Sequence, residues 1–102
     1  MKVKRTKKSA APAGSRKVRL QHRAPEAQRV CVAGTFNNWQ PDAALLQRQP
    51  DGVWTIELEL APGEHEYRFV VDGVWCDDPQ AALTLPNPFG GCNAVLLVSA
   101  AD

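Results

Sequence analysis

From Lys17 onward the chain alternates apolar and polar residues in short runs, each stopped by glycine, proline, asparagine or aspartate. Alternation with a period of two predicts β-strands with one buried face, and no stretch shows an apolar stripe at helical spacing. Val18 and Leu20 alternate with Lys17, Arg19 and Gln21 in a first predicted strand, and Arg29-Val30-Cys31-Val32-Ala33 forms a second that ends at Gly34. Leu45 and Leu46 mark a weaker third. The clearest pattern comes next: Trp54, Ile56, Leu58 and Leu60 fall on one face and Thr55, Glu57 and Glu59 on the other, which makes Trp54 a core residue. Beyond the break at Ala61-Pro62-Gly63, Tyr67, Phe69 and Val71 alternate with Glu66, Arg68 and Val70 as far as Asp72-Gly73. The last apolar run, Ala94-Val95-Leu96-Leu97-Val98, does not alternate and fits a strand covered on both sides, or one that periodicity leaves ambiguous. Five to seven short strands without a helical crossover predict an all-β fold, an antiparallel β-sandwich of immunoglobulin-like type.

The Asp-Gly pair sharpens this reading. A two-residue hairpin at Asp72-Gly73 pairs Val71 with Val74, Val70 with Trp75, and Phe69 with Cys76. Tyr67, Phe69, Val71, Val74 and Cys76 then share the buried face, and Trp75 is left on the wetter face, diagonal to Arg68. A loop one residue longer reverses that orientation. An outward indole beside a guanidinium has two readings that the strand leaves open: a stabilising cation–π contact or edge cover, or a platform for a ligand with an apolar ring face and hydroxyls at its rim. Trp39 lies in Gly34-Thr35-Phe36-Asn37-Asn38-Trp39-Gln40-Pro41-Asp42, a loop by its asparagine, proline and glycine content. It is a binding candidate or a plug over the end of the sandwich, and Phe36 suits the plug better. Leu85-Pro86-Asn87-Pro88-Phe89-Gly90-Gly91-Cys92-Asn93 is expected to be a loop with one aromatic, its glycine pair allowing a close approach or a tight turn.

Length and charge narrow the possibilities. A chain of 102 residues has room for one core. Residues 1 to 23 carry nine Lys or Arg and no acid, leaving three basic and eleven acidic residues behind them. Residues 1–16 are expected to be a disordered, flexible basic tail and residues 17–102 the folded domain. Such a tail can contact nucleic acid, an anionic lipid surface or an acidic protein, but without interleaved aromatics a solubilising arm is the better reading. Cys31, Cys76 and Cys92 are odd in number and lack metal-ligand spacing, so neither a disulfide framework nor a metal or other cofactor is expected. No run fits a signal peptide or a membrane span, which sets a cytoplasmic expectation. Catalysis finds little support. Asp77-Asp78 is the one adjacent acidic pair near the candidate residues, yet neighbours on a strand point apart. Cys92 has no histidine with an orienting partner, since His22 and His65 sit in strand candidates, and no phosphate loop or zinc-protease motif is present.

Val30 to Trp39, Tyr67-Arg68-Phe69-Val70-Val71-Asp72-Gly73-Val74-Trp75, Asp78-Pro79 and Asn87-Pro88-Phe89-Gly90-Gly91, in this order and spacing, resemble the glycogen-binding domain of the AMP-activated protein kinase β subunit. The wider family is carbohydrate-binding module family 48, and the likeness runs from about Val18 to Val98. It implies an early-set immunoglobulin-like sandwich that binds α-1,4-glucan, such as glycogen, starch or maltooligosaccharide, without catalysis. It implies glucosyl stacking on Trp39 and Trp75, a hydroxyl contact from Arg68 where the family commonly has Lys, and a further contact from Asn93. Two positions depart from the family's pattern: Phe89 stands where a leucine enters the curve of the glucan, and Gly91 where a contacting threonine follows. Phe89 keeps the means to wedge or stack. Family members are usually attached to a kinase complex or a glucan enzyme, so an unidentified protein partner is expected. Two rival readings remain at this point: a protein-interaction or regulatory scaffold that keeps the fold without sugar binding, and nucleic-acid or anionic-surface binding through the basic tail.

Overall fold

In the computed structural model, residues 14–99 are described, and they form two antiparallel sheets packed face to face. The first sheet has the order β1 (Arg16–Arg23), β4 (Val53–Leu60), β3 (Gln47–Arg48). The second runs β2 (Val30–Gly34), β5 (Gly63–Val71), β8 (Cys92–Val98), β7 (Leu83–Pro86), with β6 (Val74–Cys76) paired to the far end of β5. A single 3-10 turn, Thr35–Asn37, follows β2. The all-β sandwich is therefore as predicted. Of the predicted basic tail, residues 1–13 lie outside the described residues, and Arg16, assigned to the tail, opens β1.

The alternation explains the core. Leu20 of β1 and Trp54 of β4 meet Val30, Val32, Tyr67, Phe69 and Ala94 of the second sheet, and all are buried. Each large aliphatic or aromatic side chain so removed from water contributes about 1.5–3 kcal/mol. The Trp54 indole is nonetheless satisfied, since its Nε1–H donates to the Ala24 carbonyl at 2.9 Å. His22 follows Val18 and Leu20 on the inward face of β1 and stacks on Phe69 with ring centroids 4.6 Å apart. Burial lowers its pKa below the ordinary 6.5, with Asp78 pulling more weakly the other way. The Tyr67 hydroxyl donates to Asp78 Oδ2 at 2.5 Å, and burial first, then that bond, push its ionisation upward.

Four expectations need correction. The third strand is Gln47–Arg48, while Leu46 turns inward to fill the core and Leu45 makes an isolated bridge to Cys31. Val74 is 63% exposed because β6 is a three-residue overhang at the sheet edge, beyond the reach of the facing sheet. Leu85 and Pro86 belong to strand β7, which pairs Leu85 with Asn93 of β8. The final run does alternate in burial: Ala94 and Val98 are buried, whereas Leu97 is exposed.

Candidate functional site

The outer face of the larger sheet carries the site, and strand parity puts its residues there. The hairpin register is Val71 with Val74, Val70 with Trp75 and Phe69 with Cys76, as the Asp-Gly pair requires. Asp72 and Gly73 take φ of 49° and 84°, the left-handed pair of a type I′ turn. Trp75 consequently faces outward and keeps 39% of its surface exposed.

Trp39 reaches the same face from the loop after β2. Gly34 is needed there for space: a β-carbon would stand 2.7 Å from the Phe36 ring and closer still to the Glu66 carbonyl. Asn37 ties the loop to β2, its Oδ1 accepting from Gly34 N–H at 3.0 Å and its Nδ2 donating to the Val32 carbonyl at 3.1 Å. Asn38 and Trp39 then adopt φ of 56° and 58°, and Trp39 N–H donates to the Gly34 carbonyl at 2.9 Å. A left-handed backbone costs a residue other than glycine about 1–2 kcal/mol. The indole offsets this by covering Cys31, Ala33 and Val70, a small buried cluster on the outer face. Trp39 and Trp75 end with ring centroids 6.5 Å apart and planes inclined at 37°. Phe36 packs against the main core, as its reading as a plug requires.

Arg68, on β5, turns its guanidinium to Asp77, with Nη2 and Oδ1 2.7 Å apart. Its side chain is only 16% exposed, and Nε is buried among the described residues without a partner. A β-carbon on Gly91 would come within 3.0 Å of Arg68 Nη2. The missing side chain at position 91 is thus the space that the guanidinium occupies. Asn87 organises the turn between β7 and β8: its Oδ1 accepts from Phe89 N–H at 2.9 Å and Gly91 N–H at 3.1 Å. Its Nδ2 donates to Asn93 Oδ1 at 3.1 Å, and Asn93 Nδ2 donates to Glu66 Oε1 at 3.0 Å. Phe89 projects from this rigid turn, 90% exposed.

All five candidates, Trp39, Arg68, Trp75, Phe89 and Asn93, line one open cleft of about 680 Å³. Thr35, Glu66, Asn87 and Pro88 complete its wall. Glu66 was legible, because it lies two residues before Arg68 on an alternating strand. Asn87 was not, because its role depends on a hairpin that the sequence did not announce. A second depression, about 500 Å³ on the outer face of the smaller sheet, has a polar wall around Arg19, Gln47, Gln49 and Glu57 and no aromatic ring in its lining. The thiols of Cys31, Cys76 and Cys92 are free.

Comparison with known proteins gives one family and several relatives. Residues 17–102 match the family described as the glycogen recognition site of AMP-activated protein kinase. The β-2 subunit of 5'-AMP-activated protein kinase from Mus musculus is 36% identical over 73 residues, which are 72% of this chain and 26% of that subunit. Protein FLOURY ENDOSPERM 6, chloroplastic, from Oryza sativa subsp. japonica is 36% identical over 61 residues, 60% of this chain and 11% of the relative. Protein PTST homolog 2, chloroplastic, from Arabidopsis thaliana is 31% identical over 73 residues, 72% of this chain and 13% of the relative. The chain therefore spans about a quarter or less of the length of these relatives. Two of them are chloroplastic by name, which overturns the cytoplasmic expectation. A surface built to hold a ligand carries no address, so the absence of a recognisable leader was the wrong ground for a compartment.

Proposed function

This chain belongs to the family of glycogen recognition sites of AMP-activated protein kinase, a family of carbohydrate-binding modules, and from that premise we propose that its cleft binds α-1,4-linked glucan through Trp39, Trp75 and Arg68. The canted tryptophan pair carries the reading. Two half-covered indoles inclined at 37° line one open cleft. An α-1,4-linked chain curves and turns successive sugar faces through an angle, whereas a β-1,4-linked chain is flat and suits coplanar rings. The C–H faces of the sugars pack on the indoles, and removing that area from water supplies most of the attraction. Arg68, already held by Asp77, donates from its terminal Nη groups to hydroxyls at little cost in side-chain entropy. Asn93 adds an amide fixed by Asn87 and Glu66. Phe89, exposed at the rim, closes over the curve of the chain.

The module acts without catalysis in this reading. The two neighbouring carboxylates diverge, Asp77 to Arg68 and Asp78 to Tyr67, and so do not flank a common bond as a glycoside hydrolase requires. Binding area is small, so a single site is of roughly micromolar affinity at best, with avidity on polymeric glucan supplied by many chain ends. Such a module serves to hold an attached or associated protein on glucan, in keeping with relatives that are kinase subunits. Co-sedimentation with glycogen tests the proposal. The intact chain is expected to pellet with glycogen and to be released by maltoheptaose, while folded Trp39→Ala and Trp75→Ala variants stay in the supernatant. Retention of both variants would show that glycogen is held elsewhere on the molecule.

A further inference from the structure

Resting on the glucan reading above, we propose that Glu66 is a further ligand-binding residue of the cleft and that its charge selects uncharged glucans over glucans bearing anionic groups. Glu66 lies on β5, on the same face as Arg68, and is half-buried in the wall of the cleft. Its carboxylate is held in place, because Asn93 Nδ2 donates to Oε1 at 3.0 Å and Asn93 is fixed in turn by Asn87. Among the described residues, Asn93 is the one donor to that carboxylate. A carboxylate has roughly four lone-pair sites, so most of its accepting capacity is free for sugar hydroxyls. Hydrogen bonds to a charged acceptor are also stronger than those between neutral groups.

The charge is not cancelled from within. Arg68 is the cation of the cleft, and it is matched to Asp77 at 2.7 Å. Glu64 stands outward on the same strand, two residues before Glu66. The face thus holds more carboxylate than guanidinium. A neutral chain presents hydroxyls that donate to Glu66. A chain with a phosphate monoester brings a charge of about −1.5 to −2 into the same cleft, where it meets repulsion and offers acceptors to an acceptor.

Calorimetric titration of the whole chain tests this with two probes: maltoheptaose, and maltoheptaose carrying one phosphate monoester. At low salt the phosphorylated oligosaccharide is expected to bind roughly tenfold more weakly, with the gap narrowing at high salt as the charges are screened. Glu66→Gln keeps an oxygen for Asn93 but loses the charged acceptor, and is expected to weaken maltoheptaose by roughly threefold while losing most of the preference. Glu66→Ala, which removes the acceptor, is expected to weaken maltoheptaose by roughly tenfold. Equal affinity for both probes overturns the inference and leaves the glucan site standing, as does a preference that neither salt nor Glu66→Gln alters, the mark of exclusion by size. Maltoheptaose that fails to bind the parent chain overturns the glucan reading and this inference with it.

Discussion

Asn37 decides where Trp39 stands. Its amide bridges Gly34 N–H and the Val32 carbonyl, and the next two residues enter the left-handed region directly after that bridge. Asn37→Ala is expected to lower stability by about 1–2 kcal/mol in denaturant unfolding, because two half-buried backbone groups lose their partner. The same variant is expected to weaken glucan binding more than its loss of stability explains, since Trp39 is released from its angle to Trp75. Unchanged affinity would mean that the indole is positioned by its own packing on Val70 and Cys31. At this scale the sequence singled out side chains that line one cleft, but not what holds them there. Asn37 bonds backbone groups three and five residues back and Asp77 bonds Arg68 across the hairpin, and the alternation of apolar and polar positions carries no sign of such bonds.

The β5–β6 hairpin puts Trp75 beside Arg68, and its turn does more than reverse the chain. Asp72 Oδ1 accepts from Gln28 N–H at 3.0 Å and Arg29 N–H at 2.8 Å, so the turn also fixes the entry to β2. Asp72→Ala is expected to cost about 1–2 kcal/mol, measured as a shift in the unfolding midpoint, through these bonds and the positive φ that alanine resists. Asp72→Asn keeps both an acceptor and tolerance of that φ, and is expected to lose less than half as much. Equal losses would place the whole effect on the charge. This hairpin was legible from two residues, because Asp-Gly selects one turn and one turn selects one register. Strand β7 was hidden for the opposite reason: all four of its residues are exposed, so burial imposed no alternation on them. Val74 shows the limit of parity, which assigns a face but not whether anything covers it.

Across the whole molecule, the two sheets meet at a titratable contact. His22 of the smaller sheet stacks on Phe69 of the larger, and burial holds its pKa below 6.5. The unfolded chain therefore binds the proton more readily, and the neutral ring's contribution is complete above pH 6.5 and is lost as the pH falls through the lowered folded-state value. Unfolding midpoints are expected to drop on acidification across that window, and His22→Gln to flatten the drop. A parallel slope in the variant would assign the acid sensitivity to other groups. None of this touches the outer face, so the sandwich serves the site by being rigid beneath it. Family membership fixes the architecture, and the bare Gly91 leaves room for the Arg68 guanidinium, which pairs with Asp77 in the same wall.

The most direct measurement is an NMR titration of the intact chain with maltoheptaose, following its three tryptophan indole N–H signals. Trp39 and Trp75 are expected to shift and saturate together. Trp54, buried and bonded to the Ala24 carbonyl, is expected to stay still and serve as the internal reference. Saturating shifts confined to the first two place the glucan on the canted pair. A folded chain whose Trp39 and Trp75 signals remain fixed at high sugar concentration would contradict the account.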